Sequence, residues 1–247
     1  QAADSGLDNF HNYFASIYEG RYLAGIAAGM KTESNKLGYV AAFPFAEVIS
    51  GYTAFYLGAK SVNPDVTMDI MYTNSWNDPT VESQVAQALI DRGCDVISQH
   101  SDSTAPATTA EDNGVWQVGY NNDMIEAAPN ASLISPRIDW GIYVTEAVQA
   151  VIDGEEIPVD WCRGLEDGAV YLSPLNTDIA AEGTQEAIDA AQEKLISGEI
   201  HVFDGPLSGV SPEGEAYEVA EGEYYHEQEE ASAPSWLYIV DGCNVVE

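Results

Sequence analysis

Between residues 36 and 120, short apolar runs alternate with helical periodicities, and this alternation constrains the fold more than any other feature. Residues 36–43 (KLGYVAAF), 67–73, 94–98 (CDVIS) and 115–120 (VWQVGY) read as buried strands. Between them, 45–62 carries Val48, Ile49, Tyr52, Phe55, Tyr56 and Ala59 at helical spacing, and 79–93 carries Val81, Val85, Ala88 and Leu89. Asp78-Pro79 supplies an N-cap followed by a proline whose missing N–H costs nothing in the first turn. Gly93 ends that helix. Residues 104–113 give a third, shorter helix. A β-α-β-α-β-α-β order predicts a parallel sheet covered on both faces. Ligands of such sheets sit just past the carboxyl ends of the strands. Two of these ends, TNSW at 73–76 and QHSDS at 99–103, carry polar or aromatic groups, which places a candidate site there.

The rest of the chain reads less sharply. A helical pattern is expected over 12–30, with Gly20, Gly25 and Gly29 forming a small-residue flank. It contains Glu19 and Arg21 and is too short and polar to span a bilayer, so the flank predicts close packing within the protein. Residues 132–137 read as extended and 139–152 as a helix closed by Gly154. Residues 155–167 read as a polar connector, 168–175 as a strand, 179–196 as a helix and 199–206 as a further strand. Residues 207–234 read as a loop or hairpin, and 235–246 as an edge strand. Residues 1–8 form a polar lead-in.

The 247 residues are enough for two lobes with sizeable cores. Eight Lys and Arg against 41 Asp and Glu give a net charge of −33, which argues against nucleic-acid or anionic-membrane partners. Extracellular acidity and adaptation to high salt both account for that charge. No run reaches the roughly 20 apolar residues that span a membrane, and no signal-peptide pattern is present. Of three cysteines, Cys94 reads as core, and Cys162 and Cys243 are left as a possible pair. Zinc spacing, a Gly-x-Ser-x-Gly elbow, a phosphate loop and a His-Glu-x-x-His motif are all absent. The reading is of a protein without catalytic residues, resident metal or cofactor. Glu223, His226, Glu227, Glu229 and Glu230 could chelate a cation, but a solvated acidic loop is the simpler reading.

Several ordered segments together resemble one family. They are Asn12-Tyr13-Phe14, Arg21 to Gly25 (RYLAG), Asn35 to Pro44 (NKLGYVAAFP), Thr73 to Pro79 (TNSWNDP), QHSDS, Val118-Gly119-Tyr120 and Val202 to Pro206 (VFDGP). The chain is similar to the BMP (basic membrane protein) family of substrate-binding lipoproteins of ABC importers, which includes purine nucleoside receptors. The resemblance implies an α/β, type I periplasmic-binding-protein fold of two lobes, each a parallel sheet with helices on both faces. It also implies a purine base or nucleoside held between the lobes, and ABC permease subunits as partners. The implied location is extracytoplasmic, lipid-anchored or periplasmic. Family members carry a long further segment ahead of the matched region, so the N-terminal lobe is expected to be incomplete. On this reading 1–35 and 132–156 belong to that lobe, and 36–131 with 157–247 to the other.

The candidate ligand residues follow from both lines. Trp76 ends a strand and offers a face for a purine to stack on, where the family places an aromatic. In QHSDS, the Asp102 carboxylate suits an exocyclic amine and the His100 imidazole a ring nitrogen, with Gln99 beside them. Asp102 as a helix cap is the competing reading. After the strand at 115–120, Asn121 and Asp123 fall where the nucleoside-type pattern has two aspartates for ribose hydroxyls. Asn121 at the first position favours a base over a nucleoside. Trp140, where the chain crosses back between lobes, and Phe43, at the end of its strand, complete the set, with Tyr13 a weaker candidate. The alternative ligand is a sugar or other small polar molecule, since Trp76 and Trp140 would stack on a pyranose equally well. An enzyme of hydrolase or deaminase type is the remaining reading.

Overall fold

The computed structural model describes residues 2–247. Its centre is a five-stranded, wholly parallel sheet of β2 (Lys36–Ala41), β3 (Thr67–Tyr72), β4 (Val96–Gln99), β5 (Trp116–Val118) and β12 (Cys243–Val245), in the order β12-β3-β2-β4-β5. Side chains alternate along each strand, so each face has its own helix layer. Leu37, Tyr39 and Ala41 of β2 join a core with α2 (Ile17–Lys31) and α3 (Ala46–Val62). Val40 and Ile97 face the other way, toward α4 (Pro79–Asp91) and α5 (Ala105–Asp112). This four-strand, three-helix segment follows the sequence reading closely, and the expected edge strand exists as β12.

The small-residue flank has a clear purpose. A Cβ on Gly25 would lie 2.0 Å from the Phe55 carbonyl oxygen, and one on Gly58 would lie 1.9 Å from that of Tyr22. Helices α2 and α3 therefore touch backbone to backbone, at a separation no larger residue allows. Through this seam α2 shares a core with residues 36–131.

Around this body lie shorter elements: α1 (Ala2–Ser5), β1 (Asn12–Ala15), β6 (Pro136–Ile138), α6 (Trp140–Asp153), β7 (Asp160–Arg163), β8 (Val170–Leu172), α7 (Thr184–Ser197), β9 (Leu207–Val210), β10 (Ala216–Val219) and β11 (Ile239–Val240). Of the polar lead-in, Gln1 lies outside the described residues. Strands β1 and β7 pair in parallel, β6 and β8 antiparallel, and β10-β9-β11 form an antiparallel sheet.

Several expectations are corrected here. Residues 12–15 are strand rather than helix, because pairing with β7 across the sequence overrides the local period. That partner, Asp160–Arg163, falls in the segment read as a connector, since DWCR carries no strand periodicity. Residues 199–206 form turns and an isolated bridge from Asp204 to Tyr224, not a strand. The helix expected from 179 starts at Thr184, after Gly183 at φ 82°. All three cysteines are free. Cys162 lies in β7 beside Ser16, while Cys243 is buried in β12. The predicted caps hold: Asp78 accepts from the amides of Thr80 and Val81, and Gly154 closes α6 in the left-handed region.

Candidate functional site

Strand β2 is flanked by β3 on one side and β4 on the other, so the chain order reverses at the middle of the sheet. Ligands of open α/β sheets bind past the carboxyl ends at such a point. Val40 stands level with Gln99, and Ala41 with Tyr72. The loops after these residues therefore start from one height and meet.

They meet through aromatic rings. Phe43 stacks on Phe45 with centroids 5.2 Å apart and meets Trp76 at 5.4 Å. Trp76 is 6.4 Å from His100, and His100 is 4.5 Å from Tyr120. The Asp102 amide donates to the Trp76 carbonyl at 2.8 Å, fixing the β4 loop against the β3 loop. The structure thus gathers Phe43, Trp76, His100 and Asp102, as the sequence predicted, and adds Phe45, Tyr120 and Glu47. Phe45 and Glu47 open α3 directly after the strand end. Tyr120 stands one residue before Asn121. Position after a strand end was the available signal for all three.

Beneath the rim is a polar layer. The fully buried His100 ring fits because α3 carries Gly51 there, where a Cβ would come within 2.8 Å of it. Its Nδ1 meets the Tyr39 hydroxyl at 3.3 Å and its Nε2 faces a Glu47 carboxylate oxygen at 3.7 Å. Burial, then the Arg21 charge, pull the imidazole pKa down to about 4 against the opposing pull of Glu47, so the ring is neutral at pH 7. Arg21 is also fully buried. It donates from Nη1 to the Gln99 carbonyl at 2.7 Å and lies 3.9 Å over the Tyr120 ring. Arg21 Nε and Nη2, His100 Nε2, Ser98 Oγ and Ser101 Oγ have no hydrogen-bond partner among the described residues. Buried polar groups left this way cost free energy until water or a ligand satisfies them.

The remaining candidates fall into three groups. Gln99 is fully buried, and its amide nitrogen donates to the carbonyls of Ser101 and Ser103 while its oxygen accepts from Gln117. Those bonds make it a positioning residue for the loop. Glu82 helps, accepting from the Asp78 amide and the Ser103 hydroxyl. Asp102 is exposed at the rim; partial burial, then Glu82 and Glu47, raise its carboxyl pKa. Asn121 holds φ 60° beside Tyr120, and its carbonyl accepts from Arg137. Asp123 accepts from the Ile125 amide and so caps its own loop. Trp140 belongs to a second aromatic group, 5.4 Å from Tyr13 and 6.1 Å from Phe14. Tyr13 and Phe14 line a cavity of about 430 Å³ together with Glu47, the residue that faces His100. Glu47 is therefore the link between the two aromatic groups.

The loop at 225–236 closes the far side of that cavity. Buried Glu227 accepts from Ser50 at 2.6 Å and from the Trp236 amide at 2.8 Å, and Asp160 accepts from the Ser232 amide at 2.8 Å. Glu227 is thus a structural anchor rather than a free chelator. Among the described residues no group of three or more His, Cys, Asp or Glu is placed to hold a metal ion, and no helix is long and apolar enough to cross a membrane.

The fold is that of type I periplasmic-binding-protein-like α/β proteins. A solute-binding protein from Aeropyrum pernix K1 superposes with a TM-score of 0.66 at 20% identity, over 78% of this chain and 66% of that one. The chain belongs to the Bmp family, described as ABC transporter substrate-binding protein PnrA-like, whose model matches residues 1–204. That family comprises substrate-binding transport proteins, not enzymes. A purine-binding protein of Brucella abortus is 36% identical over 200 residues, 81% of this chain and 57% of that protein. A Haloferax volcanii protein, named as the ABC transporter glucose-binding protein TsgA13, is 38% identical over 229 residues, 92% of this chain and 58% of that protein. The chain thus spans less than three fifths of the length of these relatives.

Proposed function

We propose that this chain is the extracytoplasmic substrate-binding component of an ABC importer and holds a purine base or nucleoside at the rim formed by Phe43, Trp76, His100 and Asp102. The observation that carries this reading is the continuous run of rings from Phe45 to Tyr120 across the carboxyl ends of adjoining parallel strands. A purine presents a flat face to such rings and acceptors and donors at its edge. Neutral His100 and the Asp102 carboxyl suit that edge without adding a buried charge. The name of the Brucella abortus relative supports the same class.

The division into lobes is part of the proposal. Strands β1 and β7 with α6 stand on one side of the cavity at Glu47, and the five-stranded sheet stands on the other. We place α2 with the sheet, on its shared core. Asn121 and Asp123, in the loop that leaves β5, would border the ligand from the sheet side, and Trp140 would approach it as the sides close, a hinge motion stabilised by contacts to both. Attachment to the membrane by a lipid anchor and delivery to permease subunits belong to the same proposal. A sugar is the second reading, favoured by the name of the Haloferax volcanii relative and by the capacity of Trp76 and Trp140 to stack on a pyranose.

Calorimetric titration with adenine, adenosine, inosine, guanosine and glucose tests this. Saturable heat with a purine and none with glucose is expected. Heat with glucose alone would install the second reading, and none with any would remove both.

A further inference from the structure

The 225–236 loop has two sides, and the second borders another cavity. It measures about 680 Å³ and is lined by Tyr217, Tyr225, His226, Gln228, Glu229 and Glu230, among others. Ala233 and Pro234 line both this cavity and the one beside Glu47, so this stretch of loop is a wall between them. The lining has a consistent chemistry. It contains no lysine or arginine. Tyr217 and Tyr225 meet at 89° with centroids 5.6 Å apart, forming a corner of two rings. Glu229 is held in place by the Tyr224 hydroxyl at 3.1 Å and by His226 Nδ1 at 2.5 Å. Gln228 is only 8% exposed, yet its Oε1 has no partner, while its Nε2 is bound to the Ser232 carbonyl. What the cavity offers is thus a buried acceptor without a donor, carboxylates, and aromatic walls.

We propose that this cavity is a second ligand site and that it takes a small organic cation, of the quaternary or substituted ammonium class. Aromatic faces attract such cations through the ring quadrupole, most strongly where water is partly excluded. Carboxylates supply the counter-charge, and the Gln228 oxygen accepts from an ammonium or hydroxyl hydrogen. The field of a chain with net charge −33 concentrates cations at the entrance. A phosphate or purine nucleotide would meet the like charge of Glu229 and Glu230. The shared wall couples the two cavities, so a cation bound behind the loop biases its position at the cleft.

The test is titration of the full chain with choline at constant ionic strength, followed by calorimetry and by tyrosine fluorescence. One-site saturable binding is expected. It should weaken at least ten-fold in Glu230→Gln and in Tyr217→Leu, and stay unchanged in Glu186→Gln, which removes the same charge from the exposed face of α7. Absence of saturable binding, equal binding by all variants, or full replacement by sodium chloride would overturn the site and leave only a counterion atmosphere. Glucose binding with the same dependence on Tyr217 would overturn the ligand class.

Discussion

Helices α2 and α6 both carry apolar stripes, yet they end in opposite surroundings. On α2, Ile17, Leu23, Ile26 and their small neighbours are buried, whereas α6 buries none of its residues and leaves Val144, Val148, Val151 and Ile152 more than half exposed. An apolar period specifies a helix; a partner surface decides whether the stripe yields stability. For α2 that partner is α3, and the glycines that admit it are written in the sequence.

The largest effect that would sharpen this contrast is at the seam. Gly58→Val places carbon on the Tyr22 carbonyl and should cost more than about 4 kcal/mol by denaturant unfolding, if the variant folds at all. In the same assay Leu23→Ala should cost about 2–5 kcal/mol, and Val148→Ala on α6 no more than about 0.5 kcal/mol. Equal losses at Leu23 and Val148 would break the comparison.

Acid provides the next test. His100 titrates near 6.5 when unfolded and near 4 when folded, so the unfolded chain binds the extra proton in that window. Stability should fall by up to about 3 kcal/mol as pH drops from 6.5 to 4, a component absent from His100→Gln. Glu19 has the opposite sign. Burial pushes its carboxyl up to about 7, against the Leu165 amide that it accepts from. Its neutral form suits the fold, and stability is lost as pH rises through 7. Glu19→Gln should therefore raise the melting temperature at pH 8 and leave it unchanged at pH 4. The last test lies in binding: Trp76→Ala should weaken the purine by about 1–3 kcal/mol, and Trp140→Ala by less. A larger loss at Trp140 would move the site toward α6.

Local chemistry made much of this legible. The strand-helix alternation, the Asp78 cap and the glycine flank each depend on neighbours in sequence, and each reads correctly. That Phe43, Trp76, His100 and Asp102 lie together is legible because a parallel sheet presents its loops at one end. The pairing of β1 with β7 was missed, because its register joins Asn12 to Asp160 and no period records that distance. Arg21 reads as part of a helix and of a family-like segment, but its burial beneath the rim depends on how α2 packs. The hydrogen bonds of Gln99 to Ser101, Ser103 and Gln117 are not legible, because they are set by a loop and a neighbouring strand.

Hydrogen exchange in the presence and absence of saturating inosine or adenine tests the central claim most directly. A single purine site predicts slowed exchange at 74–77 and 99–103 together, since the Asp102 amide and the Trp76 carbonyl join those loops. Slowing confined to 225–236 or to α6, with both rim loops unaffected by a bound purine, would contradict it.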